Sequence, residues 1–121
     1  KNGEKSGEWK YYEENGQLKQ LENYKQGKEN ENWIWYFPNN QLACKGQYKN
    51  GLQTGKWKWY YENGNVKNES KYLNGKRNGK WKFYHKNGTI SEIGNFENGD
   101  KKGELKFYDE QGKLIETRNY D

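Results

Sequence analysis

Cysteine, histidine and proline each occur once, at Cys44, His85 and Pro38, and methionine does not occur at all. One cysteine excludes an intrachain disulfide and leaves the redox compartment open. A single His and a single Cys cannot assemble a zinc cluster, so neither a metal nor another cofactor is expected. Apolar residues are scarce at 29% against 32% charged, and the mean hydropathy is -1.66. A conventional thick-cored domain needs nearer ~45–50% apolar residues, so an enzyme of that kind is not expected. No apolar run approaches the ~18 residues of a spanning helix. The opening Lys1-Asn2-Gly3-Glu4-Lys5 does not read as a signal peptide, and without an initiator Met the chain reads as processed or as a fragment.

What is abundant is aromatic. The 121 residues include 6 Trp and 11 Tyr, and 15 Gly supply frequent turns. Disordered chains of similar polarity are poor in aromatics, so this chain is expected to fold on a few large flat side chains. The net charge of +5 comes from 22 basic and 17 acidic residues with the signs interspersed, the pattern of a mixed solvated surface.

An internal repeat accounts for the chain. Stepping by 24 residues gives Trp9, Trp33, Trp57, Trp81 and Leu105, then Tyr12, Tyr36, Tyr60, Tyr84 and Tyr108. Further columns are Gly16, Asn40, Gly64, Gly88, Gly112, then Leu18, Leu42, Val66, Ile90, Leu114, and Tyr24, Tyr48, Tyr72, Phe96, Tyr120. The units run approximately 7–30, 31–54, 55–78, 79–102 and 103–121, the last incomplete, with residues 1–6 the tail of a preceding unit.

Each unit reads as a β-hairpin. Aromatic-rich alternation, as in Lys56-Trp57-Lys58-Trp59-Tyr60-Tyr61, runs into Asn63-Gly64. Asn-Gly between such runs favours a two-residue type I′ turn, and a second turn such as Asn50-Gly51 leads to the next unit. That turn predicts Tyr61 opposite Val66, Trp59 opposite Asn68, Trp57 opposite Ser70, and Trp33 and Trp81 opposite Gly46 and Gly94. Alternation then puts Trp57, Trp59, Val66 and Tyr72 on one face, and Lys56, Lys58, Lys67, Lys71 and Tyr60 on the other. The predicted fold is all-β: an open-ended, single-layer antiparallel meander of five hairpins and about ten strands, a twisted ribbon ~45–50 Å long at ~4.8 Å per strand. Aromatic stacking between units would hold it together, and the aromatic face must curl on itself, pair with another chain or remain a binding surface.

These columns resemble MORN repeats (membrane occupation and recognition nexus) in their bacterial variant form. Asn78-Gly79-Lys80-Trp81-Lys82-Phe83-Tyr84-His85-Lys86-Asn87-Gly88 followed by Asn95-Phe96-Glu97-Asn98-Gly99 carries the resemblance, and it extends over the whole chain. Bacterial proteins with this variant include YwqK-family antitoxins and cell-surface proteins. The resemblance implies a rod of β-hairpins that binds other proteins, with no catalytic residues to carry over. Unit two departs most, with Glu31 in the column of Gly7, Gly55, Gly79 and Gly103.

No motif points to catalysis. His85 and Cys44 occupy variable columns, Gly75-Lys76-Arg77-Asn78-Gly79-Lys80 is a poor phosphate loop, and the carboxylates are scattered. Two surfaces stand out. Trp33, Trp35, Trp57, Trp59, Trp81 and Phe83 offer an aromatic face for a partner protein, because large apolar patches mark interaction sites. Lys56, Lys58, Lys80 and Lys82 beside Tyr60 and Tyr84 offer a basic alternative for nucleic acid or an anionic membrane. The leading expectation is a protein-binding scaffold, with a toxin as partner if the chain is an antitoxin or immunity component. Alternatives are anionic-surface binding and a cell-surface module adhering to glycans or proteins; self-association through the aromatic face or the sheet ends is a further option. The compartment follows the reading: cytoplasmic for an antitoxin, surface or secreted if a missing N-terminus carries a signal peptide.

Overall fold

The computed structural model describes residues 3–120. The first two residues of the leading tail and the last residue of the fifth unit lie outside them. Among the described residues there is no helix, and twelve antiparallel strands form one open sheet. The strands are β1 (Gly7–Tyr12), β2 (Leu18–Lys25), β3 (Lys28–Glu29), β4 (Glu31–Tyr36), β5 (Leu42–Lys49) and β6 (Leu52–Tyr60). They continue with β7 (Val66–Leu73), β8 (Lys76–Arg77), β9 (Gly79–Tyr84), β10 (Ile90–Glu97), β11 (Asp100–Tyr108) and β12 (Leu114–Tyr120). The two-residue strands β3 and β8 are the starts of β4 and β9, cut off by a break that β6 and β11 lack. Ten strand positions therefore remain, each paired to its neighbours in the chain, as a meander of five hairpins requires.

The turn within each hairpin is one residue longer than the sequence expectation. Within a hairpin, Gly64 N donates to Tyr61 O at 3.0 Å, and Tyr61 N donates to Asn65 O at 2.8 Å. Gly64 is left-handed at φ 94° while Asn63 is not, so the loop has three residues, a type I turn closed by a glycine bulge. The type I′ geometry belongs to the links between hairpins, where both Asn50 (φ 52°) and Gly51 (φ 83°) are left-handed. The longer loop moves the register by one residue beside it. Tyr60, not Tyr61, faces Val66, so Val66 lies with Tyr60 on the lysine face rather than among the tryptophans. Farther along, Trp59↔Asn68, Trp57↔Ser70, Trp33↔Gly46 and Trp81↔Gly94 pair as expected.

A second irregularity shapes the core. Between β5 and β6 the pairs Lys45↔Lys58 and Gln47↔Thr54 leave Gly46 facing a kinked stretch, in which Gly55 has φ 68°. The kink carries the Trp57 ring onto Gly46, where a built Cβ would stand 2.0 Å from the indole. The glycine thus makes room for the ring of the following unit. At the matching position of unit two, Glu31 adopts φ 62°, keeping the kink without glycine.

Both rims of the sheet are stitched by hydrogen bonds. At one rim Gly51, Gly75 and Gly99 N donate to the carbonyls of Glu29, Gln53 and Arg77. At the other, Asn39, Asn63 and Asn87 Nδ2 donate to those of Glu62, Lys86 and Glu110 at 3.0–3.1 Å. Each hairpin tip thereby holds the next, which gives a stack of marginal hairpins the nearest-neighbour coupling on which a repeat fold depends.

Candidate functional site

The aromatic face closes over itself. Trp33, Trp57 and Trp81 are 6%, 2% and 3% exposed. The Tyr24, Tyr48 and Tyr72 column covers the first two: Tyr48 lies 4.9 Å from Trp33 and 5.2 Å from Trp57, centroid to centroid, and Tyr72 lies 6.1 Å from Trp57. Trp33 and Trp57 also donate their indole N–H to the carbonyls of Asn23 and Gln47, at 3.0 and 3.1 Å. Ring contacts run unbroken from Tyr24 to Tyr72. A second cluster forms at Trp81, Phe96 and Leu105, with Phe83 and Phe107 against it.

Of the six rings expected to meet a partner, Trp33, Trp57 and Trp81 are therefore spent on the core. Trp35, Trp59 and Phe83 remain half-buried, in a cross-strand row where polar or small residues intervene: Gln20, Trp35, Cys44, Trp59, Asn68, Phe83, Glu92. Cys44 in that row is buried, and burial pushes its thiol up to about 12. Such a thiol is a packing group rather than a nucleophile. His85 stands at a hairpin tip with Nε2 3.0 Å from Tyr108 O, the same stitching that Tyr61 Oη provides to Tyr84 O at 2.7 Å.

The opposite face brings lysines together. One cross-strand row reads Lys10, Leu21, Ile34, Lys45, Lys58, Glu69, Lys82, Ile93, Lys106, Thr117. Beside it Lys56 faces Lys71 and is followed by Lys80. Hollows of about 410 and 220 Å³ open here and share Lys56 and Lys58. The first adds Lys45 and Tyr60, the second Glu69, Lys71, Lys80 and Lys82. Among the described residues, ion pairs form at Lys10–Glu8, Lys106–Glu104 and Arg118–Glu116, toward the ends of the sheet, and none at these six central lysines. Glu69, the carboxylate in their midst, accepts a 2.8 Å hydrogen bond from Tyr84 Oη. Burial and then Glu69 push that phenol up to about 12, so it stays a neutral donor.

Five in-register hairpins with one pattern of rings, kinks and turns define a repeat family. The model of the MORN repeat variant matches residues 5–26, 32–50, 53–74, 77–98 and 101–121. The chain belongs to the MORN repeat variant family. No curated protein matches it. MORN repeats are non-catalytic modules that serve as scaffolds for binding proteins or membranes, so the family adds no catalytic residue to this chain.

The lysines expected from sequence, Lys56, Lys58, Lys80 and Lys82, do converge on this MORN surface, with Tyr60 and Tyr84 at its margin. Lys45 was missed as a site residue, although counting the pairing through the link turn sets it opposite Lys58. The asparagine stitching was also missed; the recurrence of Asn39, Asn63 and Asn87 at one step of the repeat was its signal.

Proposed function

We propose that this chain is a non-catalytic scaffold that holds an acidic segment of a partner protein on its lysine face. The observation that carries the reading is the set of six lysines, Lys45, Lys56, Lys58, Lys71, Lys80 and Lys82, lining one recessed surface without ion-pair partners. Like charges set directly opposite one another, as in Lys45↔Lys58 and Lys56↔Lys71, oppose folding. A bound acidic segment would relieve that repulsion. A recess favours a projecting chain over a flat bilayer, and charge complementarity of this kind sets specificity and on-rate.

The test is fluorescence anisotropy with a labelled oligoglutamate peptide, the wild type set against Lys58→Glu/Lys82→Glu. Binding should weaken by at least about tenfold in the variant and fall steeply with salt. Equal binding by both proteins, or preference for an oligonucleotide or for anionic vesicles over the peptide, overturns the reading. An antitoxin or immunity role would be the special case in which the acidic partner is a toxin, and the comparisons lend it no support. A second reading rests on the half-buried Trp35, Trp59 and Phe83, which could seat a partner protein on the other face. It is favoured if Trp59→Ala, with folding intact, loses the partner while the lysine variant keeps it.

A further inference from the structure

The lysine face has a carboxylate at its centre, and that carboxylate is not paired with a lysine. Lys58↔Glu69 and Glu69↔Lys82 are cross-strand partners, so Glu69 has an ammonium on the strand to either side. These three residues are half-buried, whereas Lys45, Lys56, Lys71 and Lys80 are exposed. Opposite charges directly across a sheet attract, and partial burial weakens the screening by water. Yet the ion pairs among the described residues form elsewhere, at Lys10–Glu8, Lys106–Glu104 and Arg118–Glu116.

What holds Glu69 instead is a tyrosine. Tyr84 Oη donates to Glu69 Oε1 at 2.8 Å. Tyr84 follows Lys82 by two residues on β9, so it shares the lysine face and lies nearer the hairpin tip. The bond therefore draws the carboxylate along the strand, away from the ammonium opposite it. A hydrogen bond to a charged acceptor is a strong one, while an ion pair still partly in water gains little, so the phenol prevails. Burial and then Glu69 raise that phenol to about 12, and it remains a donor throughout the neutral range.

The tyrosine recurs in every unit and the carboxylate does not. Leu21, Lys45, Ile93 and Thr117 occupy the column of Glu69. The Tyr84–Glu69 pair is thus a particular of the junction where the lysines gather, not a requirement of the repeat. A carboxylate bonded to Lys58 or Lys82 would cancel a charge in the middle of the recess and obstruct an incoming acidic side chain.

We infer that Tyr84 is a positioning residue for the lysine face: it parks Glu69 toward the hairpin tip and so keeps Lys58 and Lys82 open to an acidic segment. The ligand in this inference rests on the scaffold reading above; the placement of Glu69 is testable without a ligand.

Two measurements test it, on the wild type, Tyr84→Phe, Glu69→Gln and the double variant. In the first, a zero-length carbodiimide joins carboxylates to amines in contact, and mass spectrometry reads the Glu69–Lys58 and Glu69–Lys82 amides. These should be scarce in the wild type and several-fold more abundant in Tyr84→Phe. In the second, anisotropy with labelled oligoglutamate, Tyr84→Phe should bind about threefold more weakly than the wild type, the worth of a surface ion pair. The double variant should bind as Glu69→Gln does, because without the carboxylate the phenol has nothing to park; that equality also shows that Tyr84→Phe leaves the chain folded. A phenol that touched the peptide itself would carry its penalty into the double variant. Equal crosslinking in the wild type and Tyr84→Phe, unchanged affinity of Tyr84→Phe, or a penalty that persists in the double variant overturns the inference and leaves the scaffold reading standing. A peptide that binds none of these proteins overturns the scaffold reading, and the crosslinks then decide the placement of Glu69 by themselves.

Discussion

The two faces of this sheet are built from alternate residues of the same strands and behave in opposite ways. On one, Trp57 is covered by Tyr48 and Tyr72 and rests on Gly46, so the face is its own partner. On the other, Lys45 faces Lys58 and Lys56 faces Lys71, and Glu69 opposite Lys58 forms no ion pair with any of them. A chain with 29% apolar residues can afford one cohesive face if its rings are large and the strands kink to cover them. Its other face is then free to carry charge that opposes folding. Cohesion and recognition are separated by the pleat.

Substitutions on either face should break or sharpen that contrast. Trp57→Ala is expected to have the largest effect, a loss of ~3–5 kcal/mol in denaturant unfolding, because it empties the most enclosed ring site. Gly46→Ala should follow at ~1–3 kcal/mol, since its Cβ would drive the Trp57 ring from its seat. Asn63→Ala removes the tip bonds to Lys86 O and Asn65 N and should lower stability by about 1 kcal/mol.

Tyr84 lies on the lysine face and should show itself through pH. Its phenol is raised to about 12, so folding favours the protonated form. That contribution is complete below pH ~10, where unfolded tyrosine titrates, and is lost as pH rises toward 12. Tyr84→Phe should flatten alkaline unfolding curves over that window. The smallest effect belongs to Lys58→Gln, which removes both the repulsion from Lys45 and the attraction to Glu69 and should change stability by no more than ~0.5 kcal/mol in the same denaturant assay. If Lys58→Gln destabilised the protein as much as Gly46→Ala, the division of roles between the faces would be wrong.

The extent to which this was legible in the sequence varies by residue. Trp57↔Ser70 and Trp33↔Gly46 could be counted from the turns because an in-register repeat leaves little freedom in the middle of a strand. Val66 was assigned to the wrong face because Asn-Gly suits both a two-residue and a three-residue loop, and the difference is one residue of register. Trp33, Trp57 and Trp81 were offered to a partner, with a face curled on itself left open, because alternation names the face but not its cover. That cover is Tyr48 and Tyr72 over Trp33 and Trp57, and Phe96 with Leu105 at Trp81. Among the lysines, Lys56, Lys58, Lys80 and Lys82 were visible within single strands, while Lys45 required a pairing across a link turn.

The order of residues alone determined that this chain is a stack of β-hairpins, because glycine and asparagine at fixed intervals admit left-handed turns and the runs between them alternate. Tertiary structure decided which turn is tight and which is bulged, which rings are enclosed, and how the lysines cluster. Those outcomes depend on how one hairpin sits on the next: the kink at Gly55 and the opening at Gly46 have meaning only when the Trp57 indole fills the space between them.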